Sequence, residues 1–247
     1  MVNEIVIIHN ANSNIYEEVD INRIKDLIEN FGLATLILQI DEHLNKFLER
    51  KRFKLIFNLV PALNDRYSRF VPAICELLKI PYVGTGIFTN SMLTGGFSKE
   101  ILQYHGISYS ENPIENSYYI SVLGNKKEIS FNIGRLDSNG KISKDVGINE
   151  ETQKMLISNV IELKYSLKLY DYFSLSGVFK PKQKSKFIIQ DITPSPALKE
   201  SSPFCESFKS LGKSYEEIIA GILIGAMRRY DIALSEKLEA LSNKIFG

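Results

Sequence analysis

"LIFNLVPALNDRYSRFVPAICELLKIPYVGTG" (residues 55–86) is the stretch on which the fold class turns. With the two residues ahead of it, its first part forms the apolar run "FKLIFNLV" (53–60), the pattern of a strand buried on both faces. "RFVPAICELLKI" (69–80) follows with helical spacing, and "PYVG" (81–84) is a second, short strand. Strand, helix and strand in that order make a βαβ unit, which implies a parallel sheet covered by helices.

The same grammar extends towards the N-terminus. "EIVIIHN" (4–10) and "ATLILQID" (34–41) are strand-like, and between them "EVDINRIKDLIENFG" (18–32) places Ile21, Ile24, Leu27 and Ile28 on one helical face. "EHLNKFLERKR" (42–52) predicts a helix, and "NSMLTGGFSKEILQYHG" (90–106) predicts one more, ending at Gly106. Residues 1–106 are therefore expected to form an α/β domain with a Rossmann-like parallel sheet.

After Gly106 the pattern changes. "SYYISVLGNKKEISFNIGRL" (117–136) predicts a hairpin about Gly124 and Asn125. A helix carries Leu156, Val160, Leu163, Leu167 and Tyr170, and "YFSLSGVF" (172–179) and "KSKFIIQDI" (184–192) are two further strands joined by "KPKQK". "SYEEIIAGILIGAMRRY" (214–230) opens on Ser214 with Glu217 three residues on, a capping box. The tail stripe Leu234, Leu238, Leu241 and Ile245 suits packing on its own domain or on a partner helix. Residues 107–247 are expected to be an α+β domain.

The 247 residues are 44% hydrophobic, ample for a core, and 30 basic against 29 acidic residues leave a net charge of +1. No basic block recommends a nucleic-acid or membrane partner. The N-terminus lacks a secretory pattern and no stretch matches a membrane span, so a cytoplasmic location is expected. Cys75 and Cys205 stand outside any CxxC spacing and are expected to be buried thiols. His9, His43 and His105 have no HxH or HxxxH spacing, so no metal centre is expected from them. A base at His9 acting with Ser13 would need a third partner that the sequence does not identify.

At this point the chain resembles the D-alanine–D-alanine ligase branch of the ATP-grasp family. The 55–86 passage is similar to that family's strand, loop, helix and "GIPYTGS" segment. "SKEILQYHGIS" resembles its helix ending in "AGIP", and "YYISVLGN" its "FTVxVLGN" strand. "DYFSLSGVF" resembles "DYxRxDFR", "QDITPSPALKESS" resembles "LEVNPxPGLxxxS", and "SYEEII" its last helix. The resemblance implies a pre-ATP-grasp N-terminal domain followed by a truncated ATP-grasp domain.

The same resemblance implies that the catalytic parts are missing. The family's "DK" pair meets Thr94 and Gly95, ahead of Ser98 and Lys99. Its arginine for the acyl phosphate and its metal-binding aspartate meet Ser174 and Ser176, and the glutamate of "GRE" falls near Ser117. In its "ExN" pair, Asp191 stands for glutamate and Thr193 for asparagine. Where the family carries a lobe with a lysine and a "GSSxGV" loop over the phosphates, this chain has only "SYSENPIENS". Phosphoryl transfer rests on positioning and charge neutralisation, and magnesium takes hard oxygen ligands in near-octahedral geometry. One carboxylate among serines and threonine does not supply them.

Three positions stay as ligand-binding candidates by resemblance: Asp191, Thr193, and Ser202, which matches a serine that contacts the acceptor's carboxylate. Each has a plain alternative, Asp191 as a cap of the following turn and Ser202 as a loop serine. "VGTG" (83–86) is a tight turn or a phosphate cradle, and Gly95-Gly96 marks a helix break or close packing. The expectation is a degenerate relative of the ligases, with no cofactor, that binds a ligand or regulates a partner. The alternatives are a repurposed cleft acting on a small amino-acid or peptide carboxylate, and a ligase whose ATP lobe comes from a partner chain. A homodimer, or a complex with an ATP-grasp partner protein, is implied by the resemblance alone.

Overall fold

The computed structural model describes residues 4–50, 53–60, 67–110, 117–125, 128–136, 142–143, 147–180 and 183–246. Its first half is built on a parallel sheet of β1 (Glu4–His9), β2 (Ala34–Gln39) and β3 (Leu55–Asn58), in the order β2-β1-β3. Alternation along β1 and β3 explains the unbroken apolar runs. Ile5, Ile7, Leu55 and Phe57 face one core with α1 (Glu18–Asn30), while Val6, Ile8 and Ile56 face another. That second core includes Leu44 and Leu48 of α2 (Leu44–Arg50) and Val71, Ile74 and Cys75 of α3 (Phe70–Leu78).

Two expectations need correction here. "PYVG" is reduced to a single parallel bridge, Tyr82 to Ile56, flanked by bonds from Ile56 N to Pro81 O and from Val83 N to Ile56 O, both 2.8 Å. Pro81 has no N–H to extend that ladder, and Gly84, at φ +109°, leads the chain away from it. The single helix expected over 90–106 is two, α4 (Ile87–Thr94) and α5 (Ser98–Tyr104). Gly96 takes φ +86° and the Phe97 N–H reaches back to Met92 O at 3.1 Å, a left-handed glycine stop. That closure accounts for the Gly95-Gly96 pair.

The second half is an antiparallel sheet, ordered β6-β5-β4-β7-β8, in which β4 is Tyr118–Asn125, β5 Glu128–Leu136, β6 Ile142–Ser143, β7 Tyr172–Lys180 and β8 Gln183–Thr193. Asn125 pairs with Glu128, so Gly124 and Asn125 belong to β4 instead of forming the turn. Residues 126–127, between the strands, lie outside the described residues, as do 111–116 of the expected connector. One face of the sheet, with Ile120, Val122, Phe173, Leu175 and Ile192, is covered by α6 (Glu150–Ser166). The predicted α6 stripe Leu156, Val160, Leu163 and Leu167 is buried there.

Across the other face lie α7 (Pro203–Ser210), α8 (Tyr215–Arg229) and α9 (Glu236–Phe246). The capping box at Ser214 and Glu217 is formed, and Leu238 and Ile245 bury against the molecule's own core. That core also takes in β1, β3, α1, Leu123 and Tyr172, so it joins the two sheets. Among the described residues no helix is long and apolar enough to cross a membrane.

Candidate functional site

Strand register gathers half of the singled-out residues. Tyr119, Ser176 and Asp191 form one row across β4, β7 and β8, and Ser121, Ser174 and Thr193 form the next. Side chains two apart on a strand share a face, so both rows lie opposite the face covered by α6. A bulge between Ser176 and Gly177 inserts Gln190 into β8. It lets Ile189 and Ile192 both reach the α6 core while Asp191 and Thr193 turn to the polar rows. Gly177 is needed at this place, since a Cβ there would stand 2.3 Å from Ile188 O.

The rows are a stripe of hydroxyls with one carboxylate, Asp191, and most of the hydroxyls bond within it. The Thr193 hydroxyl donates to Asp191 Oδ2 at 3.0 Å, and the Tyr119 hydroxyl bonds with Ser174 and Ser121. Burial pushes the Tyr119 phenol up to about 12, against the lowering effect of those two serines. Ser121 and Ser174 are buried, while Asp191 is exposed. Helix α7 lies against part of the stripe: the Ser207 and Ser121 hydroxyls meet at 2.7 Å, and Asn132 Nδ2 donates to Ser207 O at 2.6 Å.

The remaining candidates lie elsewhere. The Ser202 hydroxyl caps α7, accepting from Cys205 N at 3.3 Å. Thr94 ends α4, with its hydroxyl donating to Asn90 O at 2.7 Å, and Gly95 follows as the cap residue. Ser117 immediately precedes β4. Sequence reasoning missed α7, its Ser207, and the partners of that serine, Ser121 and Asn132. A signal for the helix was present, a serine directly before proline at its first position in "SSPFCESF".

A second constellation, also missed, ties the two sheets together. Asp171, fully buried, accepts from Gly84 N at 2.7 Å and from Arg229 Nη2 at 2.9 Å. Arg229 also donates to the Gly84 and Tyr82 carbonyls, and its guanidinium lies 4.5 Å from the Tyr170 ring centroid and 4.6 Å from that of Tyr230. "VGTG" is therefore a turn whose first glycine is held by a carboxylate and an arginine. It is not arranged as a phosphate cradle.

Lys164 of α6 lies nearby, its Nζ donating to Leu169 O at 2.7 Å. Burial pushes its ammonium down to about 8 from 10.5, with Asp171 opposing and Arg229 reinforcing the shift. Between those values the unfolded chain holds more protons than the folded one, so this group's contribution to stability rises with pH. Buried tyrosines such as Tyr172, raised from 10.0, act in the opposite sense at higher pH. Unfolding free energies measured from pH 8 to 10 should therefore climb more steeply in the wild type than in Lys164→Met. Equal slopes would show that the lysine is solvated.

The stripe does not fit a nucleotide with two magnesium ions. Asp191 is its single carboxylate among the described residues, and no lysine or arginine belongs to the two rows. Among the described residues no three His, Cys, Asp or Glu side chains come together as a metal site.

A parallel sheet leading into this antiparallel sheet, in this order of elements, is the ATP-grasp architecture of the D-alanine–D-alanine ligases, here in truncated form. The chain is similar to the D-alanine–D-alanine ligase of Bacillus anthracis, with a TM-score of 0.71 and 14% identity over 92% of this chain and 98% of that one. The ligase of Coxiella burnetii gives 0.69 and 12% identity, covering 92% and 94%. The VanG D-Ala:D-Ser ligase of Enterococcus faecalis gives 0.66 and 13%, covering 90% and 99%. No protein-family model and no curated protein matches the sequence, so the likeness is one of fold.

Proposed function

We propose that this chain retains the D-alanine–D-alanine ligase fold without its ATP-dependent chemistry, and serves as a binding or partner-regulating protein. The observation that carries this is the stripe itself. Where phosphoryl transfer calls for carboxylates, lysines and an arginine, Ser174, Ser176, Thr193 and Tyr119 stand with a lone exposed Asp191. Thr193 bonds to Asp191, Tyr119 to Ser174 and Ser121, and Ser121 to Ser207 of α7, an arrangement that stabilises structure and neutralises no phosphate charge. In this reading residues 1–106 and 107–247 are the two domains, the protein acts in the cytoplasm, and its partner is a second copy or an ATP-grasp protein.

Thermal unfolding of the pure protein with and without millimolar MgATP tests the reading. A ligand at one hundred times its dissociation constant stabilises the native state by about 2.7 kcal/mol, a shift that is readily seen. No shift is expected. A clear rise, or release of ADP when D-alanine is added, would overturn the proposal.

A second reading has support in the hydroxyl donors of the stripe: a small amino-acid or peptide carboxylate held by Thr193 and Ser202. Against it stand the charge of Asp191 and the use of Ser202 as a helix cap. Titration with D-alanine and D-alanyl-D-alanine, without nucleotide, distinguishes the two.

A further inference from the structure

On the face of the antiparallel sheet opposite the hydroxyl stripe, a cavity of about 250 Å³ opens between α6 and the segment following α5. Its formation follows from the chain path. Gly106, at φ +70°, turns the chain out of α5, and residues 108–110 then run beside β8. Ile189 N bonds to Ser108 O and Ser110 N to Ile189 O, each at 2.9 Å. This added edge forms one wall and α6 the other. Leu175, Phe187 and Ile189 make the sheet side, and Leu156, Val160 and Leu163 the helix side. A second cleft of about 370 Å³ shares His105 and Ser166 with it, so the space continues towards Phe88, which is 70% exposed.

The rim has a definite chemistry. Ser108, Asn159, Glu162, Ser166 and His105 surround the apolar floor. Glu162 is the one carboxylate on this lining and no lysine or arginine accompanies it there, while Lys168 and Glu76 line the second cleft. Glu162 makes no ion pair or hydrogen bond among the described residues, and Asn159 stands one helical turn before it on the same face of α6. An apolar floor under a few convergent polar groups is the usual form of a small-molecule site. The Glu162 carboxylate and the Asn159 amide oxygen accept hydrogen bonds from an ammonium group, and the charge of the carboxylate disfavours an anion.

We propose that this cavity binds a small apolar amine, a single ring or branched alkyl body carrying one ammonium group. The body lies on Leu175, Phe187 and Ile189, and the ammonium meets Glu162 and Asn159. Because the hydroxyl stripe is on the other face of the sheet, the site operates whether or not the stripe binds anything.

The test is an NMR titration of the isotopically labelled full chain with phenethylamine, and in parallel with 3-phenylpropionate, a probe of similar shape and opposite charge. Phenethylamine should shift the amides of Ser108, Val160 and Ile189 saturably, and 3-phenylpropionate should not. Glu162→Gln should weaken phenethylamine about fivefold, the size of effect expected for an exposed ion pair. Ser166→Trp, placed on the exposed rim, should block both clefts. Both substitutions sit on the solvent side of α6, and the backbone spectrum reports whether each variant is folded. Equal responses to the two probes, an affinity that Glu162→Gln leaves unchanged, or shifts centred on Ser174 and Thr193 would each overturn the proposal.

Discussion

Replacing Arg229 by methionine should cost about 3–5 kcal/mol of folding stability, the usual effect of removing one partner from a buried ion pair. Asp171 is fully buried and would lose the Arg229 ion pair, keeping the Gly84 N–H and the more remote attraction of the Lys164 ammonium. The methionine stem keeps some contact with the Tyr170 and Tyr230 rings, so the loss reports the guanidinium's polar interactions, the ion pair together with its bonds to the Gly84 and Tyr82 carbonyls. Adding Asp171→Asn to the variant should restore part of the stability by removing the stranded charge, and the double-mutant cycle measures the coupling. The chain has no tryptophan, so urea unfolding followed by circular dichroism is the suitable measurement. A loss below about 1 kcal/mol would mean that water reaches the pair and screens it.

Phe204→Ala should cost about 3–5 kcal/mol, because a fully buried aromatic leaves a cavity that its surroundings fill only in part. Phe204 anchors α7 between two rings, with centroids 5.6 Å away at Tyr172 and 5.3 Å away at Phe208. Helix α7 supplies the Ser207 contacts to Ser121 and Asn132, so its loosening should reach the stripe. Amide exchange in β4 and β5 around Ser121 and Asn132 should accelerate more than exchange in α6, which packs on the opposite face. Uniform acceleration would show that α7 is no more than a piece of the common core.

The elements most legible in the chain were those whose signal is local. Residues 4–41 and 150–167 repeat apolar side chains with a strand or helix period, though the helix expected to reach Tyr170 ends at Ser166, and Ser214 with Glu217 specifies a helix start by hydrogen bonds three residues apart. Where local signals compete, sequence reasoning lost ground. The helix of 90–106 divides at Gly96, and the "PYVG" strand shrinks to a bridge at Tyr82.

For the candidate site the division is sharper. Residue types at 174, 176, 191 and 193 already show that charged groups are scarce, and the alternation of β7 and β8 places them on one face. That Tyr119 and Ser121 join them follows from the register between β4 and β7, and that Ser207 covers Ser121 follows from where α7 docks, 86 residues away. Asp171 and Arg229 lie 58 residues apart and meet Gly84 only when the two sheets pack. The amino-acid sequence by itself determined the periodic strands and helices, the helix caps and the uncharged residue types at 174, 176 and 193, because these are properties of the chain read locally. The tertiary structure alone decided the hydroxyl stripe, the arginine clasp and the cavity beneath α6, because each depends on strand register and helix docking, which burial sets between segments far apart in sequence.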